Sequence, residues 1–335
     1  MWEGCRPKPA APEPQTRIAM RSPDRPALSA WVISAGKAGH DVQTIGVVEA
    51  LGLEPTIVAV EPTGLRRLLA PWGPPAPAPG FAPPWPDLSV ASSRQTIPYA
   101  RALRRLSGGR TFSVVLQTPG IAPSHFDLVW VPQHDRLRGP NVLTTLTSPH
   151  RLTAARLAAE GAAWAPRVAH LPRPYVTVLV GGTSGAYRLG PEEAERLGRD
   201  LKALADDTGA SLLVTTSRRT GAESTSRLRA ALSDVPASIW EPGGENPYFG
   251  FVALADWFTV TCDSVNMVGE AAFTGKPVYV YALPGGSGKF ARFHEEMAAQ
   301  GATRWFDGSL DRWDYRPLDA TQQIADAVRA GLTRR

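Results

Sequence analysis

Five short stretches hold the side chains best placed to do chemistry. Ser34-Ala35-Gly36-Lys37-Ala38-Gly39-His40 sits where an apolar run gives way to a helical pattern. Its small residues and free backbone N–H groups suit a bound phosphate. A neutral His40 at the start of that helix has the chemistry of a base for a hydroxyl nucleophile, or alternatively of a helix cap. Pro132-Gln133-His134-Asp135 follows a second apolar run, so His134 and Asp135 stand at a strand's carboxyl end, as acid/base groups or as loop contacts. Thr215-Thr216-Ser217-Arg218-Arg219-Thr220 puts hydroxyls and two guanidiniums at another such end, a combination that grips phosphate oxygens or decorates a solvated loop. Asp263-Ser264 precedes a helix that carries Glu270. Ser264 is expected either to cap that helix or to share its N-terminus with a diphosphate. Gly285-Gly286-Ser287-Gly288-Lys289 resembles a phosphate-binding loop, but Phe290 stands where a magnesium-holding hydroxyl would be.

These stretches must be positioned by alternating strands and helices. Strand-like runs at 30–34, 56–60, 88–91, 114–116, 128–131 and 142–143 precede an Ala-rich helix over 151–160 closed by Gly161. Pro166, Pro172 and Pro174 mark a linker over 166–174. A second series starts at Tyr175 and repeats the alternation to about residue 300, and a last helix covers 319–331. Alternation of this kind demands parallel sheets with right-handed crossovers. The expected organisation is a disordered Pro-rich tail at 1–27, an amino-terminal Rossmann-like domain at 28–165 and a carboxyl-terminal one at 175–317. The segment 318–335 is expected to form a helix that crosses back.

The 335 residues, 43% hydrophobic and 20% charged, are enough for two cored domains. The net charge is +5, and only five of the 36 basic residues are lysine. That balance is either compositional bias or an attraction to anions such as sugar nucleotides or an acidic membrane. No basic run interleaved with aromatics points to nucleic acid. Cys5 and Cys262 are the only cysteines and form no metal-binding spacing, which fits a reducing compartment. No apolar run reaches the ~18 residues of a membrane span, and the amino terminus has no secretory signal pattern. A cytoplasmic location is expected.

In order, SAGKAGHDVQ, PQHDRLRGPNVL, TTSRRT, ENPYFGFVALAD, VTCDSVNMVGEA and TGKPVYV resemble the bacterial and plant family named for the plant mitochondrial-fission (elongated-mitochondria) protein, over about Trp31 to Pro317. That family is in turn similar to GT-B glycosyltransferases, which share a glycine turn ending in His, matched by Gly39-His40. They also share a Glu-Ala pair with a downstream Gly-x-Pro, matched by Glu270-Ala271 and Gly275-Lys276-Pro277. In place of a second Gly-rich phosphate loop this chain has Cys262-Asp263-Ser264, and its donor-domain glycine turn is Gly181-Gly182-Thr183-Ser184.

The resemblance implies an α/β, GT-B-like pair of Rossmann-like domains around a cleft. It implies a metal-independent transfer of sugar from a nucleotide-sugar co-substrate to an envelope glycan or lipid, with no further cofactor and a possible peripheral contact with the inner face of the membrane. His40, helped by Asp135, would be the base. Gly182, Ser217, Arg218, Arg219, Asn246, Asp263, Ser264, Glu270 and Lys289 would hold the donor, Glu270 at the ribose. Gly36, Lys37, Gly39, His134 and Asn141 would line the acceptor side. The plant relatives imply a different class: a non-catalytic scaffold that recruits a protein partner at a membrane.

Overall fold

In the computed structural model, which describes residues 28–240 and 243–335, two runs of strand–helix alternation build two parallel six-stranded sheets. The Pro-rich segment 1–27 lies outside the described residues. The amino-terminal series is β1 (Ala30–Ser34), α1 (Ala38–Ala50), β2 (Pro55–Ala59), α2 (Gly64–Leu69), β3 (Leu88–Ser92), α3 (Ile97–Leu106), β4 (Phe112–Leu116), β5 (Leu128–Pro132) and β6 (Val142–Thr145). Then come α4 (Ala154–Val168), β7 (Tyr175–Val180), α5 (Pro191–Thr208), β8 (Ser211–Thr216), α6 (Ala222–Ala231), β9 (Ala237–Ile239), α7 (Tyr248–Leu254) and β10 (Trp257–Thr261). The chain closes with α8 (Val265–Ala272), β11 (Val278–Tyr281), α9 (Gly288–Ala299), β12 (Thr303–Trp305) and α10 (Ala320–Thr333).

The first sheet runs β2-β1-β3-β4-β5-β6 and the second β12-β11-β10-β7-β8-β9. Each order reverses once, between β1 and β3 and between β7 and β10. In open α/β sheets the crevice at that reversal, outside the carboxyl ends of the strands, is where ligands bind. β1, β3, β4, β7, β8 and β10 are buried along their whole length, as expected for strands covered by helices on both faces.

α4 overruns its expected end, whereas α10 crosses back as its place after the second sheet suggests. The helix expected to end at Gly161 continues to Val168 through Pro166, so the linker begins after α4. α4 packs on α7 of the second half. A Cβ at Gly161 would lie 3.2 Å from that of Ala253, and one at Gly250 only 2.2 Å from the Trp164 ring. Gly161 is therefore a close-packing position within the helix rather than its stop. At the other end, α10 returns to the amino-terminal sheet. Ile324 and Val328 join the cluster of Val32, Val90 and Val114, and Thr321 Oγ both donates to the carbonyl of His150 (3.0 Å) and accepts from its N–H (2.8 Å).

The candidate active-site cleft

At the reversal of the first sheet, the chain leaves β1 through Gly36, whose φ of +70° favours glycine, and enters α1 at Ala38. Lys37 holds the N-cap position without a capping side-chain bond. His40 lies in the first turn, and its Nδ1 is 2.6 Å from Ser92 Oγ at the end of β3. The bond spans the reversal and fixes the ring. Burial, with Lys37 adding to it and Asp41 opposing, lowers the His40 pKa, so the imidazole is neutral at pH 7. Ser93 (φ 102°) and Gln117 (φ 73°), just past β3 and β4, adopt left-handed backbone that is strained for non-glycine residues and concentrates at functional sites. Gln117 Nε2 donates to Gln43 Oε1 of α1 (3.1 Å).

The reversal of the second sheet is built around Asp263. Its side chain is fully buried and accepts from the Gly182 N–H (2.9 Å), Thr261 Oγ (2.7 Å) and Ser264 Oγ (3.2 Å), and it pairs with the Arg219 guanidinium at 2.8 Å. Arg219 also donates to Ser264 Oγ (3.0 Å) and to the Gly182 carbonyl (3.1 Å). Ser264 therefore makes no capping bond to α8; its hydroxyl is held by the ion pair. The Gly181-Gly182 turn is occupied by protein. A Cβ at Gly181 would lie 2.2 Å from Ser264 Oγ, and one at Gly182 2.2 Å from the Arg219 backbone. Ser217 Oγ donates to the Gly181 carbonyl (2.7 Å), tying the turn after β8 to the turn after β7. The tandem arginines diverge. Arg219 turns inward, whereas Arg218 lines a separate cavity of about 360 Å³ with Thr225 and Trp240 and makes no ion pair or hydrogen bond among the described residues.

Between the domains lies a cavity of about 240 Å³ that draws Gln43, Gln117, His134 and Asp135 from one side and Asn266, Lys289 and Phe293 from the other. Lys289 Nζ, at the start of α9, pairs with Asp135 Oδ1 at 2.7 Å and so ties the two domains together. In this state Lys289 neutralises a carboxylate of the amino domain, and neither it nor Asp135 is free. His134 stands edge-on to Phe293 (centroids 6.1 Å apart), and its Nδ1 is buried without a partner among the described residues. Burial and the nearby Lys289 bring its pKa down to about 4, against the opposing Asp135.

Glu270, one turn beyond Asn266 on α8, is held by the hydroxyl of Tyr248 from α7. Burial raises the Glu270 carboxyl to about 7 and the Tyr248 phenol well above its usual value. Glu270 thus has a protein partner where the sequence suggests a ribose.

Two expected cleft residues lie elsewhere. Asn141 precedes β6 and therefore sits at the amino edge of a parallel sheet, opposite the cleft. Its Nδ2 donates to the carbonyls of Pro123 and Phe126, both at 2.9 Å. Asn246 is exposed and accepts from the Tyr248 N–H (3.0 Å), turning the chain into α7. Residues that sequence reasoning passed over are Ser92, Gln43, Gln117 and Tyr248. A serine closing a buried strand was the available signal for Ser92; the others meet the site only through the fold. Among the described residues no group of three or more His, Cys, Asp or Glu is arranged to hold a metal, and no helix is long and apolar enough to cross a membrane.

Two Rossmann-like domains with their strand-order reversals at one cleft define a GT-B-type α/β protein. Solved structures of that shape agree. UDP-GlcNAc 2-epimerase from Methanocaldococcus jannaschii superposes with a TM-score of 0.54 at 10% identity, covering 92% of this chain and 99% of that one. The enzyme from Neisseria meningitidis bound to UDP-GlcNAc gives 0.51 at 10%, covering 91% and 99%. At such identity the likeness concerns the fold. The family model described as mitochondrial fission ELM1 matches residues 38–332, and the chain belongs to that family. The mitochondrial fission protein ELM1 of Arabidopsis thaliana is 32% identical over 277 residues, which are 75% of this chain and 65% of the plant protein. The chain thus spans under two thirds of that relative. An uncharacterized protein of Rickettsia prowazekii is 21% identical over 91% of this chain and 99% of its own length.

Proposed function

We propose that this protein is a nucleotide-sugar-dependent glycosyltransferase acting on an envelope glycan or lipid acceptor at the cytoplasmic face of a membrane. The observation that carries the reading is His40: neutral, anchored through Nδ1 to Ser92, and set at the strand reversal of the amino-terminal sheet, on the same helix as Gln43, which lines the interdomain cavity. In the tautomer that donates from Nδ1 to Ser92 Oγ, Nε2 keeps its lone pair for a proton. The acceptor oxygen attacks the anomeric carbon and loses its proton to Nε2 as the bond from that carbon to the diphosphate oxygen breaks. The nucleoside diphosphate leaves with the electron pair, and Lys289 offsets its charge after exchanging Asp135 for the phosphate. Charge stabilisation by side-chain cations needs no metal in this scheme.

The test is thermal unfolding with UDP, GDP or CDP in the absence of magnesium. A ligand at 100 times its dissociation constant stabilises by about 2.7 kcal/mol, or roughly 5–10 °C for a domain of this size. His40→Ala is expected to keep that shift and to lower turnover, with an acceptor or by donor hydrolysis, by ~10²–10⁴. Wild-type turnover in the variant would remove His40 from the mechanism.

One observation favours a second reading. The Gly181-Gly182 turn is filled by Asp263, Ser264 and Arg219, and Glu270 is bonded to Tyr248, so groups suited to a donor are satisfied by one another. Such a site fits a scaffold of GT-B shape that recruits a protein partner, in line with the fission role in the Arabidopsis relative's name. Absence of any nucleotide-induced shift would select it.

A further inference from the structure

The amino-terminal domain carries a surface whose chemistry the cleft does not use. α2, Gly64–Leu69, buries none of its residues. Leu65, Leu68 and Trp72 are 70%, 71% and 64% exposed, Leu69 of the same helix is 43% exposed, and Leu106 at the end of α3 is 48% exposed. Large apolar side chains this exposed and this close together mark a contact surface. They are set among cations. Residues 62–126 contain seven arginines, no lysine and a single acid, Asp87. Asp87 is occupied by Ser29, whose N–H and hydroxyl both donate to it at 2.8 Å.

The arginines are arranged along the same surface. Arg94 donates to the Leu68 carbonyl (2.8 Å), Arg101 to those of Trp72 (2.5 Å) and Gly73 (2.8 Å), and Arg66 to that of Pro75 (2.5 Å). These bonds pin the α2 segment and the Pro-rich turn after it against α3, and they consume no charge. Arg67 and Arg105 are exposed, and their guanidiniums make no ion pair or hydrogen bond among the described residues. A groove of about 720 Å³ runs along α3 between Trp72, Arg101, Arg104, Arg105 and His125.

We infer that the face made by α2, the Pro-rich turn and α3 docks on an anionic phospholipid bilayer. Leu65, Leu68 and Trp72 enter the boundary between headgroups and acyl chains, and the arginines meet the headgroup phosphates, one of which fits the groove. Separate, highly exposed apolar side chains suit a fluid lipid surface better than a shaped protein pocket, and a tryptophan beside arginines suits the interfacial layer. Arg104 is paired with Asp127 (3.3 Å), so the complementarity comes from the arginines without an acidic partner, Arg67 and Arg105 foremost. This inference does not depend on whether the cleft transfers sugar: nucleotide-induced stabilisation tests the cleft, and vesicle binding tests this face.

The experiment is flotation of the full chain with vesicles of phosphatidylcholine alone or mixed with phosphatidylglycerol. The protein is expected to float with the mixed vesicles only and to release at high salt. Each arginine near the surface contributes about five-fold to partitioning, so Arg67→Gln with Arg105→Gln lowers it about 25-fold. Leu68→Ser with Trp72→Ser is expected to lower it at least ten-fold. These side chains are exposed, so melting temperatures should hold, and a variant that melts early is replaced by Leu65→Ser. Equal binding to neutral vesicles, no binding to either, or wild-type partitioning by both double variants would overturn the inference. Capture by polyglutamate without vesicle binding would do so in favour of an acidic protein.

Discussion

Replacing Arg219 with alanine tests whether the second strand reversal is a finished structural joint or an open ligand cradle. Asp263 is fully buried, so its charge depends on what donates to it. Removing one partner of a buried pair costs about 3–5 kcal/mol when the remaining charge is left alone. Here three neutral donors stay on Asp263, and the Arg219 side chain is 44% exposed, so water already screens part of the pair. Both facts bring the expected loss to about 2 kcal/mol, a fall of roughly 4–8 °C for a domain of this size. Arg219→Lys should recover less than half, because an ammonium cannot reproduce the fork that reaches Asp263, Ser264 and the Gly182 carbonyl together. Arg218→Ala is the control. It removes an exposed guanidinium without a partner among the described residues, so the apo melting temperature should stay put. Calorimetric unfolding of the three variants without ligand decides the matter. Identical melting temperatures for Arg219→Ala and Arg218→Ala would refute the idea that Arg219 and Asp263 hold the joint.

Gly182→Ala should destabilise the carboxyl-terminal domain by several kcal/mol, since its Cβ would lie 2.2 Å from backbone that cannot move aside; soluble, wild-type-like unfolding would show that the loop adapts. The buried Glu270 carboxyl, raised to about 7 from 4.5, keeps its proton in the folded state over a window where the unfolded chain has lost it. Its contribution to stability is therefore present below about pH 4.5 and is lost as pH rises to about 7, by on the order of 2–3 kcal/mol. Glu270→Gln should become progressively more stable relative to wild type across that window in denaturant titrations, and a difference independent of pH would contradict the assignment. The same variant keeps a partner for Tyr248, so its nucleotide-induced shift reports whether a ribose needs the carboxylate.

The alternation of buried strands and helices, the two-domain division and the family were legible in the residues, because parallel sheets covered on both faces write near-continuous apolar runs bounded by glycine. Boundaries went astray where packing overrode local signals. Gly161 reads as a helix stop, but Ala253 needs it small, and Pro166 reads as a linker, yet it rides in α4. The seven arginines of 62–126 stand in the sequence, but only the fold shows that α2 leaves its leucines uncovered beside them.

Residue type alone pointed to His40, to the Asp263-Ser264 pair and to Glu270, since these groups stand at strand ends or on the helix that follows and carry the right chemistry. Their partners are a different matter. Ser92 is 52 residues from His40 in the chain, Arg219 is 45 from Ser264 and Tyr248 is 22 from Glu270, and each pair meets because strand order brings two carboxyl ends, or two helices, together. A side chain's chemistry is written in its type, but whether it is free, paired or desolvated depends on neighbours distant in sequence. Only the tertiary structure therefore distinguished the anchored His40 from the self-satisfied Asp263 and Arg219, and placed Asn141 at the edge of the sheet away from the cleft.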